Sequence, residues 1–192
     1  TTIEVRLNPP LRQVLISGRT GLLAVDYDGK RMWYADRTPE IASIVQESDK
    51  SGGAPAFPIA HTLGNNATSP DGQRIVSGEY KLVGSTFFML SIHDVWAFQP
   101  RILDARTGAT LAVNTNDPGN QMSPVGWSVR WPAASKTPWV NSAGLTAAMG
   151  DDGKLDAWIS MPGRTLRDGT CLISATTDTR RVDSQGRILW QV

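Results

Sequence analysis

One cysteine, Cys171, and two histidines, His61 and His93, stand among 192 residues. A single thiol excludes an intramolecular disulfide framework. Net charge is scarce as well: 19 basic against 18 acidic side chains leave +1. So small an excess excludes a polyelectrolyte that grips nucleic acid by neutralising many phosphates. No apolar run approaches the roughly 18 residues a membrane span needs. Gly-x-Ser-x-Gly and Gly-x-x-x-x-Gly-Lys are both absent, which removes the serine-hydrolase elbow and the phosphate loop. The opening Thr1-Thr2-Ile3-Glu4 lacks the basic stretch and apolar core of a secretory signal; either a leader or only an initiator methionine is expected to have been removed.

What the chain does have is turn chemistry and tryptophan: 18 glycines, 12 prolines and 7 tryptophans. Such a mixture suits many short strands and suits long helices poorly. Ile3, Val5 and Leu7 alternate with Glu4 and Arg6, the period of a half-buried strand. Arg12 to Ser17 reads as a second strand. Leu22–Tyr27 and Lys30–Ala35 flank Asp28-Gly29 and read as a hairpin. Thr38-Pro39-Glu40, followed by Ile41, Ile44 and Val45 on one face, predicts a short helix over 39–47. Residues 48–58 read as a flexible loop.

The most apolar stretch, Leu82 to Phe98, contains Phe87-Phe88-Met89-Leu90-Ser91-Ile92. It is apolar on both faces, which predicts a strand covered on both sides, and it marks Phe87, Phe88, Met89, Leu90 and Ile92 as a subunit interface. Further hairpins are expected at 101–113, 145–160 and 181–192. Val125, Trp127, Val129 and Trp131 form the cleanest alternating strand. The expected fold is therefore mainly β and antiparallel, a jelly-roll-like sandwich or distorted barrel with one short helix, in a single domain over 1–192.

Three turns look alike: Asp26-Tyr27-Asp28-Gly29, Asp104-Ala105-Arg106-Thr107-Gly108 and Asp183-Ser184-Gln185-Gly186. Ile102 to Leu111 faintly resembles a propeller-blade hairpin. Propeller blades recur at a fixed period, and these turns do not, so the likeness reads as shared turn chemistry.

Candidate chemistry is thin. Thr1 could act as a nucleophile with its own amine as base. Thr1-Thr2-Ile3 resembles the mature start of the proteasome-type N-terminal hydrolases, but where that family places an acid and a lysine this chain has Ser17 and Trp33. His93-Asp94 could pair a base with its orienter, although a structural histidine is the plainer reading. Asp26/Asp28 and Asp151/Asp152 could offer oxygens to calcium, but neither run has the length of an EF-hand loop and turn chemistry explains them better. Cys171 reads as a small buried hydrophobe. Trp127, Trp131 and Trp139 could form a stacking platform for a glycan, with Trp139 beside Pro138 the one expected to be exposed.

The expectation is a non-catalytic structural subunit of a larger assembly, a virus or phage particle protein found in the virion or at an extracellular surface. It would bind itself or other subunits and use no cofactor or metal. A glycan- or ligand-binding β-sandwich is the alternative, and an N-terminal-threonine hydrolase the third reading.

Overall fold

The computed structural model of the protein describes residues 3–18, 20–37, 66–88, 91–114, 128–133, 135–142, 145–155, 163–168, 170–174, 178–183 and 187–192. Strands dominate them, and the one helical element is a 3-10 turn at Pro9–Leu11. The mainly β, antiparallel expectation is met. The helix expected over 39–47 and the loop at 48–58 lie outside the described residues.

The first sheet is a simple meander: β1 (Glu4–Asn8), β2 (Gln13–Ser17), β3 (Gly21–Asp26) and β4 (Arg31–Asp36). The second is built from β5 (Asn66–Thr68), β6 (Arg74–Ser77), β9 (Arg101–Asp104) and β10 (Thr110–Val113), all antiparallel. Between β6 and β9 the chain runs out into a separate hairpin, β7 (Tyr80–Phe88) and β8 (Ser91–Phe98). The third sheet holds β11 (Ser128–Arg130), β12 (Trp139–Ser142) and β13 (Leu145–Ala148), extended by a bridge between Met149 and Leu155. The fourth holds β14 (Gly163–Thr165), β15 (Cys171–Ser174), β16 (Thr179–Val182) and β17 (Ile188–Gln191).

The sheets stack face to face in chain order. Leu15, Leu22, Ala24 and Trp33 of the first meet Ile75, Leu103 and Ala105 of the second sheet and its turn. Val76, Ile102 and Ala112 then meet Val129, Val140, Ala147 and Met149 of the third. Trp139 and Ala148 meet Cys171, Ile173 and Val182 of the fourth. Adjacent residues of one strand thus serve opposite interfaces: Ile75 and Val76, Ile102 and Leu103, Trp139 and Val140, Ala147 and Ala148. A strand's alternation sends neighbours to opposite faces, so only a strand apolar at consecutive positions can sit between two sheets. Each large side chain buried this way contributes about 1.5–3 kcal/mol.

Among the described residues, β6, β9, β12 and β13 are covered on both faces. The run 82–98, expected as one strand, is a hairpin, with Phe87 opposite Ile92 and Phe88 opposite Ser91.

A second correction concerns the look-alike turns. Each joins the third strand of its sheet to the fourth. Asp26 N–H donates to Lys30 O at 2.9 Å, Asp104 N–H to Ala109 O at 2.8 Å, Gly150 N–H to Lys154 O at 2.8 Å and Asp183 N–H to Arg187 O at 3.0 Å. In each sheet the residue before the turn pairs with the second residue after the turn glycine: Val25 with Arg31, Leu103 with Thr110, Met149 with Leu155, Val182 with Ile188. In the first, second and fourth sheets a register shift follows at once. The turns therefore mark a structural repeat, hidden in the sequence by insertions of unequal length. Consecutive four-stranded meanders stacked face to face are the blade organisation of a propeller.

Polar groups fasten neighbouring sheets at this turn end. The Asn8 amide donates to Gly72 O at 2.9 Å, and Ala105 O accepts both from the Gln13 amide at 2.6 Å and from the Trp33 indole at 2.8 Å. The turn glycines matter for close approach. A Cβ at Gly108 would lie 2.6 Å from Trp33 Cε3 of the preceding sheet. One at Gly153 would lie 2.6 Å from Val113 O, again of the preceding sheet. Both glycines have positive φ, +73° and +83°, where a side chain is also strained.

Candidate interaction surface

The opposite end of the stack carries what the meanders do not need. The chain leaves the first sheet there at Arg37, enters the second at Asn66, leaves it at Asn114 and enters the third at Ser128. The β7–β8 hairpin also departs from this connector end, beside Ser77 and Arg101. Strands of nine and eight residues reach about 25–30 Å. The hairpin is a sheet of its own and makes its main contacts within itself.

Its root is built for rigidity. Glu79, immediately before β7, is fully buried and lies 2.6 Å from the Arg101 guanidinium and 3.7 Å from that of Arg37. Arg37, 1 % exposed, also donates to Ser17 Oγ at 3.0 Å and to Gly18 O at 3.1 Å. Arg101 donates to Asp36 O at 2.6 Å. Burial holds the Arg37 guanidinium below its ordinary pKa; attraction by Glu79 opposes this and repulsion by Arg101 adds to it. Gln99 N–H closes the root by donating to Glu79 O at 2.7 Å, and Phe98 sinks into the core between the second and third sheets. A charge triad and an aromatic anchor thus tie both ends of the hairpin to three sheets. Buried ions of this kind cost desolvation and hold only when well paired.

Of the expected interface residues, Phe87 and Phe88 occupy β7 and Ile92 occupies β8; Met89 and Leu90 lie outside the described residues. His93 and Asp94 stand in β8, opposite Thr86 and Ser85. His61, Thr1 and Trp127 lie outside the described residues.

A concavity lies at the turn end, between the second and third sheets. It encloses about 350 Å³ and is lined by Ser69, Asp71, Arg74, Trp131, Ser135, Lys136 and Asp151 among others. Most of its polar groups are engaged with one another. Arg74 pairs with Asp151. The Trp131 indole donates to Ser135 O at 3.1 Å. The Ser69 hydroxyl, with the Gln73 amide, holds the Asp71 carboxyl below its ordinary pKa. The cleft therefore reads as a fastening between sheets. Trp131 is half-buried there, but Trp139 is 1 % exposed between the third and fourth sheets. That corrects the expectation of Trp139 as an exposed stacking platform: the residue belongs to a strand, and its ring fills an interface.

Other expected sites resolve into structure. Asp26 Oδ1 accepts from the amides of Asp28 and Lys30, at 3.0 and 2.8 Å, within its own turn. Asp152 Oδ1 likewise accepts from Lys154 N–H at 3.0 Å. Among the described residues no cluster of three or more histidine, cysteine or acidic side chains is placed to hold a metal. Burial pushes the Cys171 thiol up to about 11. Ser17 and Trp33 are both buried in the first sheet. No described helix is long and apolar enough to cross a membrane.

No family model and no curated protein matches the chain. Solved structures do. BamB from Moraxella catarrhalis superposes over 100 % of this chain and 52 % of its own, at TM-score 0.53 and 14 % identity. A eukaryotic initiation factor superposes over 98 % of this chain and 43 % of its own, at TM-score 0.51 and 11 % identity. A Bacteroides caccae protein of unknown function also matches, at TM-score 0.45 and 14 % identity. The chain thus spans about half the length of the structures it resembles.

Identities this low speak to fold, and the fold overturns the functional expectation. The likenesses are to BamB and an initiation factor, not to a particle protein of a virus or phage. Serially stacked meanders also differ from the helix-flanked fold that an N-terminal-threonine hydrolase requires.

Proposed function

We propose that this chain is a propeller-type scaffold for protein–protein contact, without a catalytic centre of its own, and that the β7–β8 hairpin is its contact arm. The observation that carries the reading is the hairpin itself. A two-stranded ribbon is marginal in water unless something covers a face. This one forms no sheet with its neighbours among the described residues, and the sequence from Phe87 to Ile92 holds no charge. Its root is fixed by buried ion pairs, so the arm is presented in a set direction and little orientational freedom is lost on docking. The occupant this chemistry fits is an apolar groove on a partner protein.

A photo-crosslinking residue placed at Phe88 in cells making the chain tests this. A discrete protein adduct at Phe88, with none from the same probe at Asp28 on the turn end, supports the reading. No adduct, a lipid adduct, or equal adducts from both positions would overturn it.

A further inference from the structure

The two terminal sheets carry complementary halves of the joint that binds the first sheet to the second. In that joint Trp33, on the fourth strand of one sheet, lies on Gly108 in the turn of the next and donates to Ala105 O. Trp190 occupies the same place in the fourth sheet. Arg181 pairs with Trp190 as Ala24 pairs with Trp33, each just before the register shift. Yet Trp33 is 6 % exposed and Trp190 is 41 % exposed.

The missing half is in the first sheet. Gly29 is the counterpart of Gly108 and has positive φ, +82°, but a Cβ there would meet nothing within 4 Å. Val14 and Val25 stand where Ile75 and Leu103 stand in the second sheet, on the face turned away from it. In the second sheet those positions are sealed at 0 % exposure; in the first they are only half-buried. Knob and socket thus lie at opposite ends of one stack.

From this we infer that two copies of the chain join head to tail, Trp190 of each seated on the Tyr27–Gly29 turn of the other. Two such contacts are equivalent and close a ring by a two-fold axis. The occupant is another stack with the same register and the same apolar spacing, which a second copy supplies in full.

Sedimentation of the 192-residue chain tests it. The expected mass is twice 20.8 kDa. Trp190→Glu should raise the dimer dissociation constant about 30-fold or more, the effect of losing a central aromatic anchor, with the circular dichroism unchanged. A variant with residues 83–95 replaced by Asn-Gly should still dimerise, which separates this inference from the role of the hairpin. A wild-type mass of 20.8 kDa at high micromolar concentration would overturn it and assign the open faces to further sheets of a longer polypeptide. An undiminished Trp190→Glu dimer, or a dimer lost only with the hairpin, would overturn it as well.

Discussion

The middle of the stack and its two ends are made of the same strand pattern and the same turn, but they live in different surroundings. In the middle, Trp139 is sealed between the third and fourth sheets and Ile75 between the first and second. At the ends, Val5, Leu7 and Trp190 meet solvent at 58 %, 62 % and 41 % exposure. What separates the two regions is the neighbour, not the strand. A strand apolar at consecutive positions prepares both faces for burial, and the next sheet decides whether burial happens. Stability should therefore concentrate in the inner joints and interaction capacity at the margins.

The sharpest way to break this comparison is to truncate one tryptophan from each region. Trp139→Ala empties a fully buried site and should cost about 3–5 kcal/mol. At about 2–4 °C per kcal/mol for a chain of this size, that lowers the melting temperature by roughly ten degrees. Trp190→Ala, measured where the chain is monomeric, should cost well under 1 kcal/mol. Equal costs in thermal or urea melts would mean that the end sheet is as enclosed as the middle.

The root of the hairpin comes next. Glu79→Gln leaves Arg37 and Arg101 beside each other in a buried site with no carboxylate between them, which should cost about 3 kcal/mol. The loss should show in urea denaturation monitored by tryptophan fluorescence. Hydrogen exchange should also accelerate in β7 and β8 before it does in β12 and β13. Uniform acceleration would show that the triad holds the whole stack and not the arm.

Much of the strand inventory was legible because alternation and Asp-Gly turns are local signals. The hairpin at 22–35 and those at 101–113 and 181–192 needed nothing distant to be read. The stacking was not legible. Val76 and Ile75 look alike in sequence, and only the position of two different sheets shows that they face opposite ways. The repeat was missed for a related reason. A fixed period was sought, whereas what recurs is the pairing of the residue before each turn with the second residue after the turn glycine, and inserted segments such as 80–98 break the period between turns. Trp139 was misplaced because Pro138 suggested a loop; the proline ends one, and the strand begins at the tryptophan. The Arg37–Glu79–Arg101 triad left no signal at all, since its members are separated by 42 and 22 positions (79 − 37 and 101 − 79).

Two turn glycines refine the comparison at smaller scale. Gly29→Ala and Gly108→Ala both place a side chain at positive φ, which costs about 1–2 kcal/mol. At Gly108 the new Cβ would also press on Trp33, within 2.6 Å of its ring, while at Gly29 it would meet open space. Gly108→Ala should therefore be the more destabilising in urea melts of the monomer. In the dimer, Gly29→Ala should weaken association as well, because the Trp190 ring of the other copy would then meet the added carbon.

Acid should produce the mildest effect and should not distinguish middle from end. Burial tends to raise the Asp104 carboxyl of the second sheet, but the Thr107 amide and hydroxyl and the Arg106 amide outweigh it and hold it below its ordinary range. In the fourth sheet, the Thr170 hydroxyl and amide and the Arg181 guanidinium do the same for Asp168. A carboxyl whose folded pKa lies below its unfolded value near 4 binds protons more readily when unfolded. Its contribution is complete above that value and is lost as pH falls through the depressed folded pKa. Urea midpoints should accordingly be flat from neutrality down to about pH 5 and decline from about pH 4 towards pH 2. Asp104→Asn should lower the midpoint at neutral pH and flatten the acid decline. Because the carboxylate is largely solvated, the change should stay near 0.5 kcal/mol. A midpoint that rises on acidification would mean that these turn carboxylates repel their surroundings, contrary to the hydrogen bonds that hold them.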